Sequence, residues 1–199
     1  MSSIAFPGRG RTEEPEWTVW LTVLICLLIG WVITTTVTGQ TDTAPIANGT
    51  IRYPANWVKT KEDGAIFAAT DLSDGSYGAR ISVRQANKAD LVGPQGQDNL
   101  DNAASGWTLL RSQDLEGYRV LKIDQVKLQG RDAVAIEYAY LTDSPEGQAA
   151  GVMPALMHAI DTVVASGDQY TILSVAVDQS GDDTLADLNA RIQAGSQLP

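Results

Sequence analysis

The sequence predicts an α+β fold, in which an antiparallel sheet is covered by helices, preceded by one transmembrane helix. Three observations lead to this prediction. A long uncharged apolar run lies near the amino terminus, several later segments have strand-like patterns joined by short turns, and two segments carry apolar residues at helical spacing. Consecutive strands joined by short turns favour antiparallel pairing, and amphipathic helices must bury their apolar faces against the sheet.

The uncharged run, residues 17–37, reads WTVWLTVLICLLIGWVITTTV. A helix rises ~1.5 Å per residue and the bilayer hydrocarbon is ~30 Å thick, so ~20 apolar residues span it. Trp17, Trp20 and Trp31 lie towards its two ends, where indole rings favour the headgroup layer. Because the run exceeds the ~7–15 apolar residues of a signal peptide, we predict an uncleaved membrane anchor over residues 17–38.

Basic residues predict the orientation of this anchor. Arg9 and Arg11 precede the run, and the next basic residue along the chain is Arg52. Since positive residues stay on the cytoplasmic side, we expect residues 1–16 to be a cytoplasmic tail. The protein would then lie in the cell membrane with its carboxyl-terminal domain outside the cytoplasm, periplasmic or extracellular.

The chain after the anchor divides into a linker and one domain. Residues 39–50 are polar and contain Pro45 and Gly49, which predicts a linker. Residues 51–199 have the length of a single domain, and we expect them to form an extracytoplasmic α+β domain. The formal net charge of −10 argues against nucleic acid as a partner.

Strand and helix signals follow in order through this domain. Ile51–Tyr53, Ala65–Leu72 and Ala79–Gln85 predict strands, and the third alternates apolar residues with Arg80, Ser82 and Arg84 on a solvent-exposed face. A helix is predicted next. Its apolar face comprises Leu100, Ala103, Ala104, Trp107 and Leu110, with Asp98 or Asn99 available as the cap.

The second half of the domain predicts two hairpins and a closing helix. Strands 118–128 and 132–141 flank a tight turn at Gln129–Arg131, and the first of them has a pattern compatible with a β-bulge. Strands 160–164 and 170–177 flank a further turn. The final helix follows Asp182 and Asp183 and ends at Gly195. Its apolar face consists of Leu185, Leu188 and Ile192.

A family resemblance adds to this interpretation. The segment Ile51–Trp57, IRYPANW, is similar to the hydrophobic-x-Tyr-Pro-x-x-Trp opening of PsbP/Mog1-like domains, and the later element order also resembles that family. The resemblance implies a central antiparallel sheet covered by helices. It also implies a non-enzymatic accessory or adaptor role, since photosystem members stabilise an electron-transfer complex. A domain of this kind on one span is similar to small accessory subunits of bacterial membrane complexes such as alternative complex III.

The sequence has no set of residues that would support catalysis. His158 is the only histidine and Cys26 the only cysteine, so thiolate metal sites and covalent haem are excluded from the domain. A haem held by His158 and Met153 or Met157 has no sequence support. Four aspartates could hold a hard cation if they converged, but helix capping explains them more simply: Asp98, Asp101, Asp182 and Asp183. We therefore predict no catalytic, cofactor-binding or metal-binding residues, and no cofactor.

These observations predict a non-catalytic accessory subunit that stabilises or helps assemble a larger membrane complex, most simply an electron-transfer complex. Its partners would be other integral membrane subunits and membrane lipid. Gly30 permits close helix approach, and two threonine pairs share helical faces, so we expect docking within the membrane through Gly30, Thr18, Thr22, Thr34 and Thr38. The alternative is a membrane-tethered extracytoplasmic module that binds a small molecule or a metal.

Overall fold

The computed structural model describes residues 16–38, 40–47, 49–73, 77–92, 98–142, 154–178 and 182–198. The chain forms two compact units, Met1–Gln40 and Thr41–Pro199. In the first unit, helix α1 runs from Glu16 to Thr38, over the segment predicted to be helical. Its described side chains, at positions 17 and 19–32, are all exposed. Within the described part of the chain, no helix has both the length and the apolar character needed to cross a membrane.

The second unit, Thr41–Pro199, is called the sheet domain below. It contains a two-stranded hairpin and a seven-stranded antiparallel sheet with strand order β3-β4-β5-β9-β8-β7-β6. The strands are β1 Thr41–Ile46, β2 Gly49–Pro54, β3 Val58–Lys59, β4 Ala65–Thr70, β5 Arg80–Asn87, β6 Arg119–Leu128, β7 Arg131–Thr142, β8 Ala155–Ser166 and β9 Gln169–Asp178. The helices are α2 Lys88–Val92, α3 Leu100–Asp114 and α4 Asp182–Gly195.

Helices cover both faces of the sheet, and two apolar cores result. Helix α4 and the β1–β2 hairpin pack on one face, where Leu185 and Ile192 meet Val175 and other apolar residues of the central strands. Helices α2 and α3 pack on the opposite face, where Trp107 lies against residues of β7, β8 and β9. The predicted antiparallel α+β sheet covered by helices is confirmed.

Local sequence signals account for the ends and faces of the two longer helices. Asn99 caps α3, since its side-chain oxygen accepts a hydrogen bond from the Asn102 N–H at 2.8 Å. The buried residues of α3 are Ala103, Ala104, Trp107 and Arg111. The predicted apolar face of α4 is buried as well, with its leucines and isoleucine in the core. Gly106 lets α3 approach α2, because a Cβ there would overlap the Leu91 carbonyl oxygen.

Turn chemistry fixes the register of the β6–β7 hairpin. Gln129 and Gly130 have φ angles of 53° and 81°, the left-handed pair that a two-residue hairpin turn requires. The β6–β7 register shifts between Val120 and Lys122, which confirms the bulge that the sequence pattern allows.

The predicted linker over residues 39–50 differs from the structure. Most of this segment forms β1 and the start of β2, with Ala44 paired to Ile51 across the hairpin. Ala44 and Ile46 are buried in the core, and Thr50 exchanges two backbone hydrogen bonds of 2.7 Å with Gln197. Because the segment is mostly polar, its sequence predicted a linker. Ala44 and Ile46 are spaced two apart, however, and therefore form a buried face of the strand. The short elements β3 and α2 were also not predicted, and β8 begins at Ala155 rather than at residue 160.

Candidate functional site

A cluster of polar side chains lies buried between α3 and the centre of the sheet. It consists of Trp107, Arg111, Tyr138 and Asp161, and is called the Asp161 cluster below. Asp161 lies in the middle of β8 and is 0% exposed. Trp107 and Arg111 lie one turn apart on the sheet-facing side of α3, and β7 supplies Tyr138. Two residues of α3 and one residue of β7 therefore converge on the carboxylate of β8.

Hydrogen bonds use both oxygens of the Asp161 carboxylate. Trp107 Nε1 donates to Oδ2 at 2.6 Å, Arg111 Nε donates to the same oxygen at 3.2 Å, and the Tyr138 hydroxyl donates to Oδ1 at 2.9 Å. Arg111 Nη2 donates in turn to the Tyr138 oxygen at 2.8 Å, which closes a ring of contacts. The cluster thus supplies the paired, hydrogen-bonded environment that a buried charge needs.

Two members of the Asp161 cluster, Tyr138 and Arg111, have raised pKa values. Burial raises the pKa of the Tyr138 hydroxyl well above 10, and the Asp161 charge raises it further. Burial alone would lower the pKa of Arg111, but the neighbouring Asp161 carboxylate and Tyr138 hydroxyl raise it by more, so the guanidinium stays charged. Tyr138 and Arg111 therefore keep their protons at neutral pH and remain hydrogen-bond donors to Asp161.

A partly open cavity of about 110 Å³ lies beside the Asp161 cluster. Its lining residues come from β5, β7, β9, the end of α3 and the loop before β4: Glu62, Arg80, Ser82, Arg111, Leu115, Tyr138, Tyr140, Thr142, Ser174 and Ala176. Strand pairing explains the polar part of the wall. Ser82 is opposite Ser174 across β5 and β9, and Ser174 is opposite Asp161 across β9 and β8, so all three face the same side.

The structure corrects the prediction of a solvent-exposed face on β5. Ser82 is buried and Arg80 and Arg84 are half-buried, because α2 and the loop before β4 lie against this side of β5. Arg84 Nη2 pairs with Glu62 Oε1 from that loop. A strand face that carries arginine and serine is normally solvated, so the periodicity alone did not reveal its burial.

The structure keeps the histidine and the neighbouring methionine apart. His158 Nε2 lies 2.9 Å from Glu137 Oε1, in a diagonal contact between β8 and β7. Met157 is fully buried on the opposite face of β8, since adjacent strand residues point to opposite sides. A haem cannot therefore be held by His158 and Met157 together. Met153 lies outside the described residues.

The candidate cation ligands do not converge among the described residues, where no group of three histidine, cysteine or acidic side chains is close enough to hold a metal. Asp98 accepts hydrogen bonds from Lys88 at 2.7 Å and from the Tyr170 hydroxyl at 2.6 Å, and these two contacts lower its pKa. Asp101 accepts one from Gln125 at 3.3 Å. The side chains of Asp182 and Asp183 lie outside the described residues.

The residues predicted to dock in the membrane all belong to α1. No atom outside the helix's own local backbone lies within 4 Å of the position that a Cβ on Gly30 would occupy, and Thr22 is exposed. The side chains of Thr18, Thr34 and Thr38 lie outside the described residues. Their role in docking stays a prediction.

Sequence reasoning missed the members of the Asp161 cluster and the cavity. One signal for the cluster was present: Asp161 interrupts the run of apolar and small residues from Ala159 to Ala165, and a lone charge inside a buried strand needs a partner. The partner could not be named from sequence, because Arg111 lies 50 residues earlier, on a different element.

No protein-family model matches this chain, and no curated protein matches it. Among solved structures, CyanoP, the PsbP protein of the cyanobacterium Synechocystis sp. PCC 6803, is 11% identical, with 80% of this chain and 92% of that one covered and a TM-score of 0.57. The Ran-binding protein Mog1p of Saccharomyces cerevisiae is 13% identical, with coverages of 77% and 89% and a TM-score of 0.48. LpqN of Mycobacterium tuberculosis, a protein involved in cell envelope biogenesis, is 15% identical, with coverages of 80% and 91% and a TM-score of 0.46.

The likeness to CyanoP shows that this chain has a PsbP-like fold. The fold that the Ile51–Trp57 opening implied is thereby confirmed. At such low identity the likeness concerns the fold alone, and it assigns no function to the chain.

The contacts of the Asp161 cluster predict a large change in the free energy of unfolding when Asp161 is replaced. Asp161→Ala should lower the free energy of unfolding by ~3–5 kcal/mol, because it leaves the Arg111 charge buried without its partner. The double variant Asp161→Ala/Arg111→Met should recover part of this loss, since it removes that charge too. Denaturant unfolding of the full-length protein in detergent, followed by tryptophan fluorescence, measures the free energy of unfolding of both variants.

The exposed pair Lys127–Asp132 provides the matched control for this prediction. Its atoms are 2.7 Å apart, but its side chains are 70% and 79% exposed. Asp132→Ala should therefore cost no more than ~1 kcal/mol. A loss at Asp161 as small as the loss at Asp132 would contradict a structural role for the cluster.

Proposed function

We propose that this protein is a membrane-anchored, non-catalytic accessory subunit that stabilises or helps assemble a larger membrane complex. The observation that carries the proposal is α1, whose described apolar side chains are all exposed. Trp20 is 73% exposed, Leu27 69% and Trp31 66%. Large apolar side chains left exposed along a helix need lipid or another protein around them. Over the whole run of residues 17–37, the sequence has the length and composition of a membrane span.

The sheet domain supports a role in binding rather than in catalysis. Its most deeply buried charged groups, Arg111 and Asp161, pair with one another, and the neighbouring Asp161 carboxylate raises the pKa of Arg111 so that the guanidinium stays charged. His158, the residue from which a general base would first be sought, pairs with Glu137 outside the cavity. Among the described residues, no nucleophile, base and orienting group form a connected set.

The complex in which this subunit acts is the finer part of the proposal. An electron-transfer complex, such as one resembling alternative complex III, follows from the family resemblance of the sequence and from nothing in the geometry. The partners within the membrane would be other integral subunits and lipid. Docking would use Gly30 and the threonine faces of α1, because small and hydroxylated residues allow close helix packing.

The orientation proposal places the sheet domain outside the cytoplasm of a cell membrane, since Arg9 and Arg11 precede the span. In a Cys26→Ser background, a cysteine introduced at Ser112, which is exposed on α3, should react with an impermeant thiol reagent in intact cells. A cysteine at Ser3 should react only after lysis. The reverse pattern would overturn the orientation.

A second candidate function is a tethered module that binds a small molecule. The cavity beside the Asp161 cluster favours it, because two polar atoms at the cavity have no hydrogen-bond partner in the protein: Arg80 Nε and Ser174 Oγ. The metal-binding form of this candidate gains no support, since the described residues contain no cluster of metal ligands.

Extraction of native membranes in mild detergent tests the accessory role. With the chain affinity-tagged, quantitative mass spectrometry should find other integral subunits at a fixed ratio to it. Gly30→Leu should lower that ratio, because a large side chain blocks close helix approach. Val32→Leu, on another side of α1, is the control and should leave the ratio unchanged. A tagged chain that elutes alone would reject the accessory role.

A further inference from the structure

The cavity beside the Asp161 cluster contains polar groups that the protein leaves unsatisfied. The Ser174 side chain is 95% buried, since its relative exposure is 5%, and its hydroxyl has no hydrogen-bond partner. The buried Nε of Arg80 also has none, and both residues line the cavity. Native proteins pair the great majority of buried polar atoms, so two unpaired donors at one cavity call for an explanation.

The charges that line the cavity do not balance. Glu62 pairs with Arg84, and Arg111 pairs with Asp161, so these two lining charges are neutralised by their partners. Arg80 makes no ion pair with any described residue, although its charge is near enough to the Tyr140 hydroxyl to act on its pKa. The cavity therefore presents one uncompensated positive charge in a shielded environment, where it attracts an anion more strongly than it would in water.

The planar shape of the Arg80 guanidinium favours carboxylates among the possible anions. A guanidinium is planar and donates two parallel hydrogen bonds through Nε and one Nη, which matches the two oxygens of a carboxylate. The Ser174 hydroxyl rotates about its bond and can donate to either oxygen. Leu115, Ala176 and the ring of Tyr140 provide an apolar wall for carbon atoms. The volume of about 110 Å³ is several times what one water needs.

We propose that this cavity is a binding site for a small organic carboxylate, held by the Arg80 guanidinium and the Ser174 hydroxyl. Arg80 is opposite Ala176, so Arg80 and Ser174 are diagonal neighbours across β5 and β9 and can donate to the same carboxylate, while the carbon chain lies against the apolar wall. The site rests on the binding-module candidate above. It does not depend on which membrane subunits accompany the chain.

Titration of the full-length protein in lipid nanodiscs with sodium propionate tests the site, by nuclear magnetic resonance of backbone amides and arginine Nε–H groups. Saturable shifts are expected at Arg80, Ser174 and Ala176. Arg80→Gln should weaken propionate binding about tenfold or more, and Ser174→Ala about threefold, as expected for a charged and a neutral hydrogen bond. Arg80→Lys should also weaken it, because lysine keeps the charge but loses the planar fork.

Matched controls decide whether the effect is local. Arg119→Gln removes the same charge from an exposed position on β6, outside the cavity lining, and should leave binding unchanged. Propionamide has the size of propionate without its charge and should not compete. The shifts in the unmodified protein locate the site even if a variant fails to fold.

Four results would overturn the carboxylate site. They are the absence of saturable binding, equal weakening by Arg119→Gln and Arg80→Gln, propionamide binding as tightly as propionate, and preference for inorganic phosphate over propionate. The same variants separate this proposal from the accessory role, since Arg80→Gln should leave the ratio of co-extracted subunits unchanged. If the unmodified protein binds no propionate but still co-extracts other subunits at a fixed ratio, the carboxylate site is rejected and the accessory role stands.

Discussion

The buried carboxylate of Asp161 is the constraint on which one side of the sheet domain depends. A charge at the centre of a sheet is costly unless partners replace the water it has lost. Three donors do so here, and two of them, Trp107 and Arg111, belong to α3. Because hydrogen bonds tolerate only small errors in distance and angle, Asp161 fixes where α3 lies on the sheet.

The position of α3 in turn determines the cavity. Arg111 belongs to both the Asp161 cluster and the cavity wall, and Leu115 follows the last turn of the same helix. Since α3 lies over β7 and β8 while its end reaches the β5–β9 part of the face, Arg80 and Ser174 are left beside open space. On the opposite face the helix is held by apolar packing instead of a hydrogen-bond network, because α4 packs there mainly through Leu185, Leu188 and Ile192. Apolar packing tolerates small displacements better than a network of short hydrogen bonds does.

Much of the fold could be predicted because its signals are local. Asn99 caps α3, Gly130 closes the β6–β7 turn, and Leu188 faces the core, each as the nearby sequence indicated. The hairpin at Thr41–Pro54 was not predicted, because its polar residues are typical of a linker. Its burial depends on contacts with α4 and the carboxyl terminus, which the local sequence does not show. The candidate site could not be predicted for the same reason. Arg80, Arg111 and Ser174 are far apart in sequence, and only the pairing of β5 with β9 and the packing of α3 on the sheet bring them together.

Amide hydrogen exchange of the full-length Asp161→Asn variant tests most directly whether Asp161 holds α3 on the sheet. Asparagine keeps the size of the side chain but removes the charge that pairs with Arg111. Amides of residues 103–114 should exchange faster than in the unmodified protein, while those of residues 186–195 in α4 keep their protection, because the two helices pack on opposite faces. Unchanged protection of α3, or an equal loss in both helices, would contradict the central place given to Asp161.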